Sequence, residues 1–435
     1  MIKITGSASS TGPYIAAGLL AATGGVLATP LAAGPAVLLA LIATILMLVK
    51  GRATLQCFGK STLTTRDLLV IAFGGWFLAE LLSTAINNQL WTNLDYPFRF
   101  TLGIGVFWAV RYSALRNTQI FYYAIAASGL VAAGVSVFQH FFLGMDRSYG
   151  WTNHPIYFGN LSILLGLYAT IIYALMRKRL TAQLRIALVV AMALFLYAAI
   201  LSGSRSSWLG LAGLAVLVDW KRVSYARLAG FTLATLLIMT TLLALFPVIA
   251  SELRLTDAVQ DIRGILSGDY RSSLGDRLQM WKAALLMFWS SPLIGTGSGF
   301  FQANMIDLVA TGAVDLELNQ GNIVYNQAHS EVMDVLATKG LVGLLAYLAI
   351  LFLPFRMFQK LSRTSVLEAK ALAKAGQATV VAFLMFGLTL ATFKVQIYCA
   401  VYPAAIAVLA ALALNLSDSA GTSTEKPLFQ DSAGT

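Results

Sequence analysis

Three side chains that could carry proton or anion chemistry stand in polar stretches of an otherwise apolar chain. His329 lies in "NQAHSEVMDVLATKG", Arg205 in "SGSRSSW" and Arg277 in "GDRLQMWKAAL". A histidine can take and return a proton near neutral pH because its ordinary pKa is about 6.5. An arginine stays charged, and its planar fork can hold two phosphate oxygens at once. Together these residue types suit proton abstraction beside a phosphate-bearing ligand.

Each of the three also has a purely structural interpretation. His329 could be a hydrogen-bonded histidine at the start of a helix. Arg205, at the top of a tight hairpin between two apolar runs, could be an interfacial anchor, and Arg277 could extend to lipid phosphates. Ser204 and Ser206 flank Arg205 and could add hydroxyl groups to a phosphate site. The residue types alone leave these alternatives open.

The surrounding residues hold weaker candidates. His154 opens an apolar run in "WTNHPIYFGN", where the neighbouring aromatic residues could form a sugar-stacking platform or an interfacial aromatic belt. The alternating glycines of "GTGSGF" (295–300) could form a flexible turn or a backbone surface against a substrate. Asp315 and Glu317 could offer oxygens to a hard cation, but neither histidine nor cysteine stands at ligand spacing, so we expect no metal site and no cofactor.

Composition identifies the elements that must position these residues. Of the 435 residues, 58% are apolar and 11% are charged, against about a quarter charged in soluble domains. This predicts an all-α, polytopic membrane protein. The net charge is +11, but no basic segment with interleaved aromatic residues lies outside the spans. This argues against nucleic-acid binding. About twelve runs are long and apolar enough to be spans. They lie near 12–30, 35–49, 68–87, 97–112, 119–143, 155–176, 184–203, 206–220, 227–250, 339–355, 373–392 and 396–415.

Charge predicts the orientation of these spans. Lysine and arginine concentrate in alternate loops near 50–66, 111–116, 177–185, 221–227 and 356–374. The positive-inside rule places these loops, and both termini, in the cytoplasm. Few cations are then left on the outer face. They are Arg99, Arg147, Arg205, Arg254, Arg263, Arg271, Arg277, Lys282, Lys339 and Lys394.

The same reading divides the chain into four parts. Residues 1–250 hold about nine spans, 251–338 form an outer loop domain, 339–415 return to the membrane, and 416–435 form a disordered cytoplasmic tail. Within the outer domain we predict a helix capped by Ser273, lying on the bilayer surface. Its apolar stripe would be Leu274, Leu278, Trp281 and Leu285.

These motifs resemble the O-antigen ligase family, within the wider group of O-antigen ligases, polymerases and bacterial protein O-oligosaccharyltransferases. The resemblance is strongest over about 190–345 and rests on "SGSRSSW", "GDRLQMWKAAL", "GTGSGF" and "AHSEVMDVLATKG". It implies a GT-C-like glycosyltransferase in the inner membrane of a Gram-negative bacterium, with a periplasmic active site. The implied donor is a polysaccharide on undecaprenyl diphosphate, and the implied acceptor is a sugar hydroxyl of lipid A–core.

The resemblance also implies residue roles. Arg205 and Arg277 would bind the diphosphate, and His329 would be the base. Lys394, in "TFKVQIY", becomes a candidate for a further diphosphate contact, while His154, Ser204 and Ser206 remain candidates for substrate binding. Competing readings are an O-antigen polymerase, a protein O-oligosaccharyltransferase and, from another class, a lipid-linked glycan transporter. A transporter should carry charged residues near the midplane, where Glu80 is the one clear acidic candidate.

Overall fold

The protein is built from α-helices, with no strand among the residues that the computed structural model describes: 67–112, 116–218, 261, 263–267, 272–316 and 325–424. Its main helices are α1 (Asp67–Ile86), α2 (Asp95–Tyr112), α3 (Gln119–Phe142), α4 (Pro155–Met176), α5 (Ala182–Leu201), α6 (Ser273–Ser290), α7 (Phe301–Ala310), α8 (Glu331–Leu361), α9 (Leu367–Gly387) and α10 (Gln396–Thr424). Short π-helical segments begin α1 at Val70–Gly74 and end α3 at Phe138–Phe142.

Seven of these helices are long and apolar enough to cross a membrane: α1, α3, α4, α5, α8, α9 and α10. They coincide with seven of the runs predicted from the sequence. The runs at 12–30, 35–49 and 227–250 lie outside the described residues. Helix α2 forms at the predicted 97–112 run but carries Asp95, Arg99 and Arg111. The chain is therefore a multi-pass helical membrane protein, with at least these seven apolar helices in its described part.

The arginine hairpin continues into an unusual element. Residues Arg205–Leu217 form a 3₁₀ helix of 13 residues, whereas such helices seldom exceed three or four residues. At about 2.0 Å per residue this segment extends roughly 26 Å, against roughly 20 Å for an α-helix of the same length. The 3₁₀ geometry thus lets a short apolar run approach the ~30 Å thickness of a bilayer core.

The packing of this 3₁₀ helix explains its geometry. Its buried residues recur every third position: Ser207, Gly210, Gly213 and Val216. Three residues per turn place them in one line, which packs between α4 and α9. A Cβ on Gly213 would lie 2.8 Å from Leu167 of α4 and 3.2 Å from the Ala378 carbonyl of α9. The spacing of small residues is therefore a sequence signal for this helix that an apolar-run search does not detect.

Helix α8 is broken at Gly340, where the backbone has φ +61°. The break leaves carbonyl and N–H groups without helical partners, and the predicted glycine turn satisfies them. Thr296 N–H and Gly297 N–H donate to the carbonyls of Ala337 and Thr338, both at 2.9 Å. Leu341 N–H and Val342 N–H donate back to Pro292 and Leu293. The backbone N–H groups of the glycine turn are thus already bonded within the fold. The hypothesis that they face a substrate is therefore wrong.

Two charges inside the bundle pair with each other. Lys339, just before the break in α8, lies 3.0 Å from Glu80 of α1, and both side chains are buried. The ammonium also sits over the Trp76 ring at 5.2 Å. The sequence placed Lys339 on the outer face and Glu80 within a span, and their contact accounts for both positions.

We expect Glu80→Gln to lower the free energy of unfolding by about 3–5 kcal/mol, because it leaves the Lys339 ammonium buried and unpaired. Thermal unfolding of the detergent-solubilised protein measures the loss. The double variant Glu80→Leu with Lys339→Met removes both charges and should unfold near the wild-type temperature. A single variant as stable as the wild type would contradict the role of the pair.

Helix α10 is longer than the sequence predicted. It continues to Thr424, past the expected end of the last span at 415, so residues 416–424 are helical rather than a disordered tail. Residues 425–435 lie outside the described residues. The start of α8 is tied to the turn before α10, because Glu331 Oε2 accepts hydrogen bonds from Thr392 Oγ1 and Phe393 N–H, both at 2.8 Å. This tie places the segment before α8 beside Lys394.

Candidate active site

His329 lies at the end of an irregular segment, two residues before α8 begins. Its backbone has φ +48°, a conformation that is uncommon outside glycine but several-fold enriched for histidine, asparagine and aspartate. The imidazole is partly buried, and the Tyr325 ring meets it edge-on at 6.3 Å. Its Nδ1 is enclosed and has no hydrogen-bond partner among the described residues. The imidazole is therefore not oriented through that nitrogen, and its position depends on the backbone.

Arg277 lies in the first turns of α6. The cap of this helix is Ser272, whose hydroxyl accepts from Gly275 N–H at 3.1 Å, so the predicted cap at Ser273 is wrong by one residue. Arg277 is half-buried, whereas the nearby Lys282 is exposed. Burial, and then the charge of Arg205, lower the pKa of Arg277. A guanidinium with these surroundings faces the protein rather than the solvent.

The buried face of α6 also differs from the predicted stripe. Residues Met280, Ala283, Ala284 and Met287 pack into a small core with α7 and Ala328. Leu285, which the sequence placed on the apolar stripe that would face the bilayer, is 41% exposed, and Leu286 and Trp289 beside it are also exposed. The face of α6 that packs on the protein is therefore the one that carries its small and flexible apolar side chains. The placement of α6 on a bilayer surface stays a prediction, and this exposed apolar row is compatible with it.

The hairpin places Arg205 at the same end of the bundle as the start of α4. Ser204 is buried, and its hydroxyl lies 3.2 Å from that of Ser206 and 2.8 Å from that of Ser207. Ser202, Ser204 and Ser207 pack on Gly159, where a Cβ would lie 2.5 Å from the hydroxyl oxygens of Ser202 and Ser207. Arg205 itself is exposed. The serines around Arg205 thus hold the hairpin against the first turns of α4.

His154 is the cap of α4. Its Nδ1 accepts a hydrogen bond from Ile156 N–H at 3.2 Å, and its ring lies 5.0 Å from that of Tyr157. Burial, and then the charge of Arg147, lower the pKa of His154. Phe158 is fully buried in the core, so it can belong neither to a sugar platform nor to an interfacial belt. Trp151 is 43% exposed.

Electrostatics links these residues into one group. The pKa of His329 is lowered to about 4, first by burial, then by Arg277, then by His154, and is raised in part by Asp334. Arg205 acts in turn on Arg277. Electrostatic interactions therefore connect four residues: Arg205 with Arg277, and both Arg277 and His154 with His329. The result is a positively charged site that contains a neutral imidazole at physiological pH. Such a site can hold an anionic group and accept a proton.

Comparison with known proteins identifies a family that is similar to the part of the chain containing these residues. Residues 190–348 match the protein family described as O-antigen ligase. We call residues 190–348, which are similar to that family, the O-antigen ligase region. The match includes Arg205, Arg277 and His329, together with the 3₁₀ helix and the broken start of α8. The match supports a membrane enzyme of the ligase and polymerase type.

A second comparison covers more of the chain. The protein is 28% identical over 324 residues to a Haemophilus influenzae protein described as uncharacterized. The alignment covers 73% of this chain and 79% of that protein. The similarity therefore extends well beyond the O-antigen ligase region.

Lys394 lies outside the O-antigen ligase region and has other partners. Its ammonium is 3.2 Å from Asp334 Oδ1, donates to the Asn326 carbonyl at 3.1 Å, and lies over the Phe301 ring at 4.8 Å. These contacts fasten the segment before His329. A role for Lys394 in binding diphosphate stays a prediction, and its observed contacts favour a structural role.

The acidic pair proposed for a cation is only half described. Asp315 N–H donates to Gln279 Oε1 at 3.2 Å, and Glu317 lies outside the described residues. Among the residues that the structure describes, no group of three histidine, cysteine or acidic side chains could hold a metal ion.

The structure adds residues that the sequence did not select for the candidate site. Arg147 acts on His154, and its Nε–H donates to the Ser202 carbonyl at 3.0 Å, beside the hairpin. Its place among the few outer cations was the available signal. Trp281 and Tyr325 contact the segment around His329. They carried no signal of their own, because an aromatic residue on a helix is indistinguishable from core in a single sequence.

Proposed function

We propose that the protein is an O-antigen ligase, a GT-C-like glycosyltransferase of lipopolysaccharide biosynthesis. It transfers O-antigen polysaccharide from undecaprenyl diphosphate to a sugar hydroxyl of lipid A–core. It works within the inner membrane of a Gram-negative bacterium, with both termini in the cytoplasm and its site facing the periplasm. The observation that carries the proposal is the grouping of Arg205, Arg277 and a neutral His329 at one end of the helix bundle, within the O-antigen ligase region.

The two arginines suit the leaving group. As the bond between the anomeric carbon and the diphosphate oxygen breaks, negative charge builds on the diphosphate. Fixed positive charges stabilise that charge without having to reorganise, which is usually the largest catalytic contribution. The mutual repulsion of Arg205 and Arg277 is relieved when an anion lies between them. These residues can therefore do the work that a divalent metal does in other diphosphate chemistry, and we propose a metal-independent reaction.

His329 suits the acceptor. The acceptor hydroxyl gives its proton to the imidazole while its oxygen attacks the anomeric carbon, and the diphosphate departs from the opposite face. Because the imidazole is neutral in the free enzyme, it is ready to take a proton without first losing one. A single displacement of this kind inverts the anomeric configuration. Ser204 and Ser206 would support the arginine hairpin at the diphosphate, and His154 would line the same site.

The deciding experiment uses the purified full-length protein in detergent, with a polysaccharide on undecaprenyl diphosphate as donor. Parallel reactions contain lipid A–core, a second carrier-linked glycan or a serine-rich peptide as acceptor, each with and without EDTA. A ligase forms conjugate with lipid A–core, and EDTA leaves the rate unchanged. Transfer only to the second carrier would instead identify a polymerase, and transfer only to peptide a protein O-oligosaccharyltransferase. Absence of every product, with carrier-lipid movement across reconstituted vesicles, would identify a transporter.

A further inference from the structure

We infer that Trp281 and Asp334 are positioning residues that hold His329 in the site by binding both backbone polar groups of Ala328. The inference rests on the proposed function, in which His329 must lie at a defined place to act as the base. Ala328 is fully buried and directly precedes His329. Its N–H donates to Asp334 Oδ1 at 3.1 Å, and its carbonyl accepts from Trp281 Nε1–H at 3.0 Å. The two side chains come from different helices, α8 and α6.

The whole segment before His329 is fastened residue by residue. Tyr325 donates its hydroxyl to Asp276 at 2.7 Å, and the Asn326 carbonyl accepts from Lys394. Gln327 accepts from Ala391 N–H through its side chain at 3.0 Å. Four successive residues, 325 to 328, are therefore bound to three parts of the fold: α6, α8 and the turn before α10. An irregular segment held this completely can deliver one side chain to a defined place.

The backbone of His329 needs such support. His329 is a non-glycine residue in the left-handed region, a strained conformation that persists only where the surrounding structure fixes it. Among the described residues, the Nδ1 of the imidazole has no hydrogen-bond partner that could anchor it. The contacts to Ala328 are the last fixed points before the strained residue. They determine where the imidazole can lie.

The same contacts relate His329 to Arg277. Trp281 follows Arg277 by one helical turn on α6, and Asp276 immediately precedes it. Both bind the segment before His329, so α6 is attached to it on either side of Arg277. This attachment sets the spacing between the guanidinium and the imidazole. The groups that then act on the imidazole are Arg277 from α6, His154 from the start of α4, and Asp334 from α8.

The test is Trp281→Phe, which removes the N–H donor and keeps an aromatic ring. The matched control is Trp289→Phe on the same helix, where the side chain is 72% exposed. The chain has three histidines, so NMR titration of the ¹³C-histidine-labelled protein, with His329→Asn as the assignment variant, reads His329 directly. We expect the midpoint of His329 to rise from about 4 toward 6.5 in Trp281→Phe and to stay in place in the control.

Transfer kinetics give the second measurement. We expect Trp281→Phe to lower kcat by about 10- to 100-fold, since a small misplacement of a reacting group has effects of this size, with the donor KM changed less than about threefold. Equal midpoints and equal kcat in Trp281→Phe and Trp289→Phe would overturn the inference. A shifted midpoint in a protein whose wild type transfers no glycan would instead sink the proposed function and leave the positioning role standing.

A second pair of variants applies if Trp281→Phe does not fold. Asp334→Asn keeps an oxygen acceptor for Ala328 N–H, and Asp334→Leu does not, while both lose the charge that faces Lys394. We expect kcat of Asp334→Asn to exceed that of Asp334→Leu by about tenfold. Equal values would overturn the inference.

Discussion

Replacing His329 by asparagine should lower the rate constant of glycan transfer by about 10²–10⁴-fold, which is the usual contribution of a general base. Asparagine is the most informative substitution because it accepts the left-handed backbone of His329 and keeps a hydrogen-bonding side chain. Alanine would combine loss of the base with strain at φ +48°. Binding of the donor should change little, because the diphosphate contacts are assigned to the arginines. Single-turnover kinetics with donor-saturated enzyme in detergent measure the effect.

The matched control is His140→Asn. His140 belongs to the π-helical end of α3, and its Nδ1 lies 3.0 Å from the Met145 carbonyl. It is not among the groups that shift the pKa of His329. We expect this variant to transfer glycan at nearly the wild-type rate. If the His329→Asn enzyme transferred glycan as fast as the His140→Asn enzyme, His329 would not be the base.

The pH dependence should carry the signature of the charged site. For the free enzyme, kcat/KM should fall on the acidic side near pH 4, because protonated His329 cannot accept a proton and burial with Arg277 lowers its pKa to about 4. At pH 5, about nine-tenths of such an imidazole is the free base, against about 3% for an ordinary histidine of pKa about 6.5. Activity is thus retained at pH 5 and lost as the pH falls through 4.

Donor binding should move this limit. A bound diphosphate offsets the positive charge of Arg277 and Arg205, so the pKa of His329 rises in the complex. The acidic limb of kcat, which reports the complex, should therefore lie at higher pH than the limb of kcat/KM. The imidazole then becomes a stronger base only when the donor is in place. Coincident limbs would show that the donor does not lie beside these charges.

Arg277 supplies the matched pair for this prediction. Arg277→Gln removes the charge and should raise the acidic limb of kcat/KM toward pH 6.5, while also lowering the transfer rate by about 10²–10³-fold through lost stabilisation of the leaving group. Arg277→Lys keeps the charge, so its limb should stay near the wild-type position, although the rate falls because lysine lacks the planar fork. Acidic limbs of kcat/KM at the same pH in the two variants would show that the charge of Arg277 does not lower the pKa of His329.

Residue type and charge asymmetry made His329, Arg277 and Arg205 candidates, and the resemblance to the O-antigen ligase family then favoured functional roles over the structural alternatives. In a membrane protein, cations that break the orientation bias are costly, so they are few, and their polar neighbours mark the places where the chain leaves the lipid. The same reasoning located seven of the apolar helices to within a few residues at most ends. These are local properties, which a sequence expresses directly.

Only the tertiary structure decided which local signals were used for packing. The turn at 295–299 could have been flexible or could have faced a ligand, but its backbone binds the groups freed by the break at Gly340, because a broken helix exposes backbone groups that another backbone must satisfy. The buried face of α6 follows the closest approach of its alanines and methionines rather than its most apolar stripe. The 3₁₀ helix forms where small residues at every third position meet α4 and α9.

The sequence by itself determined the membrane class, the polar segments and the residue types available for chemistry, since each depends on composition or short-range spacing. The tertiary structure alone decided that His154 acts on His329 and Arg147 on His154, that Lys394 pairs with Asp334, and that Trp281 and Asp334 bind Ala328. Residues 281 and 328 come together only because α6 packs against the start of α8. Contacts between residues so far apart in the chain depend on the packing of whole helices, which no local pattern encodes.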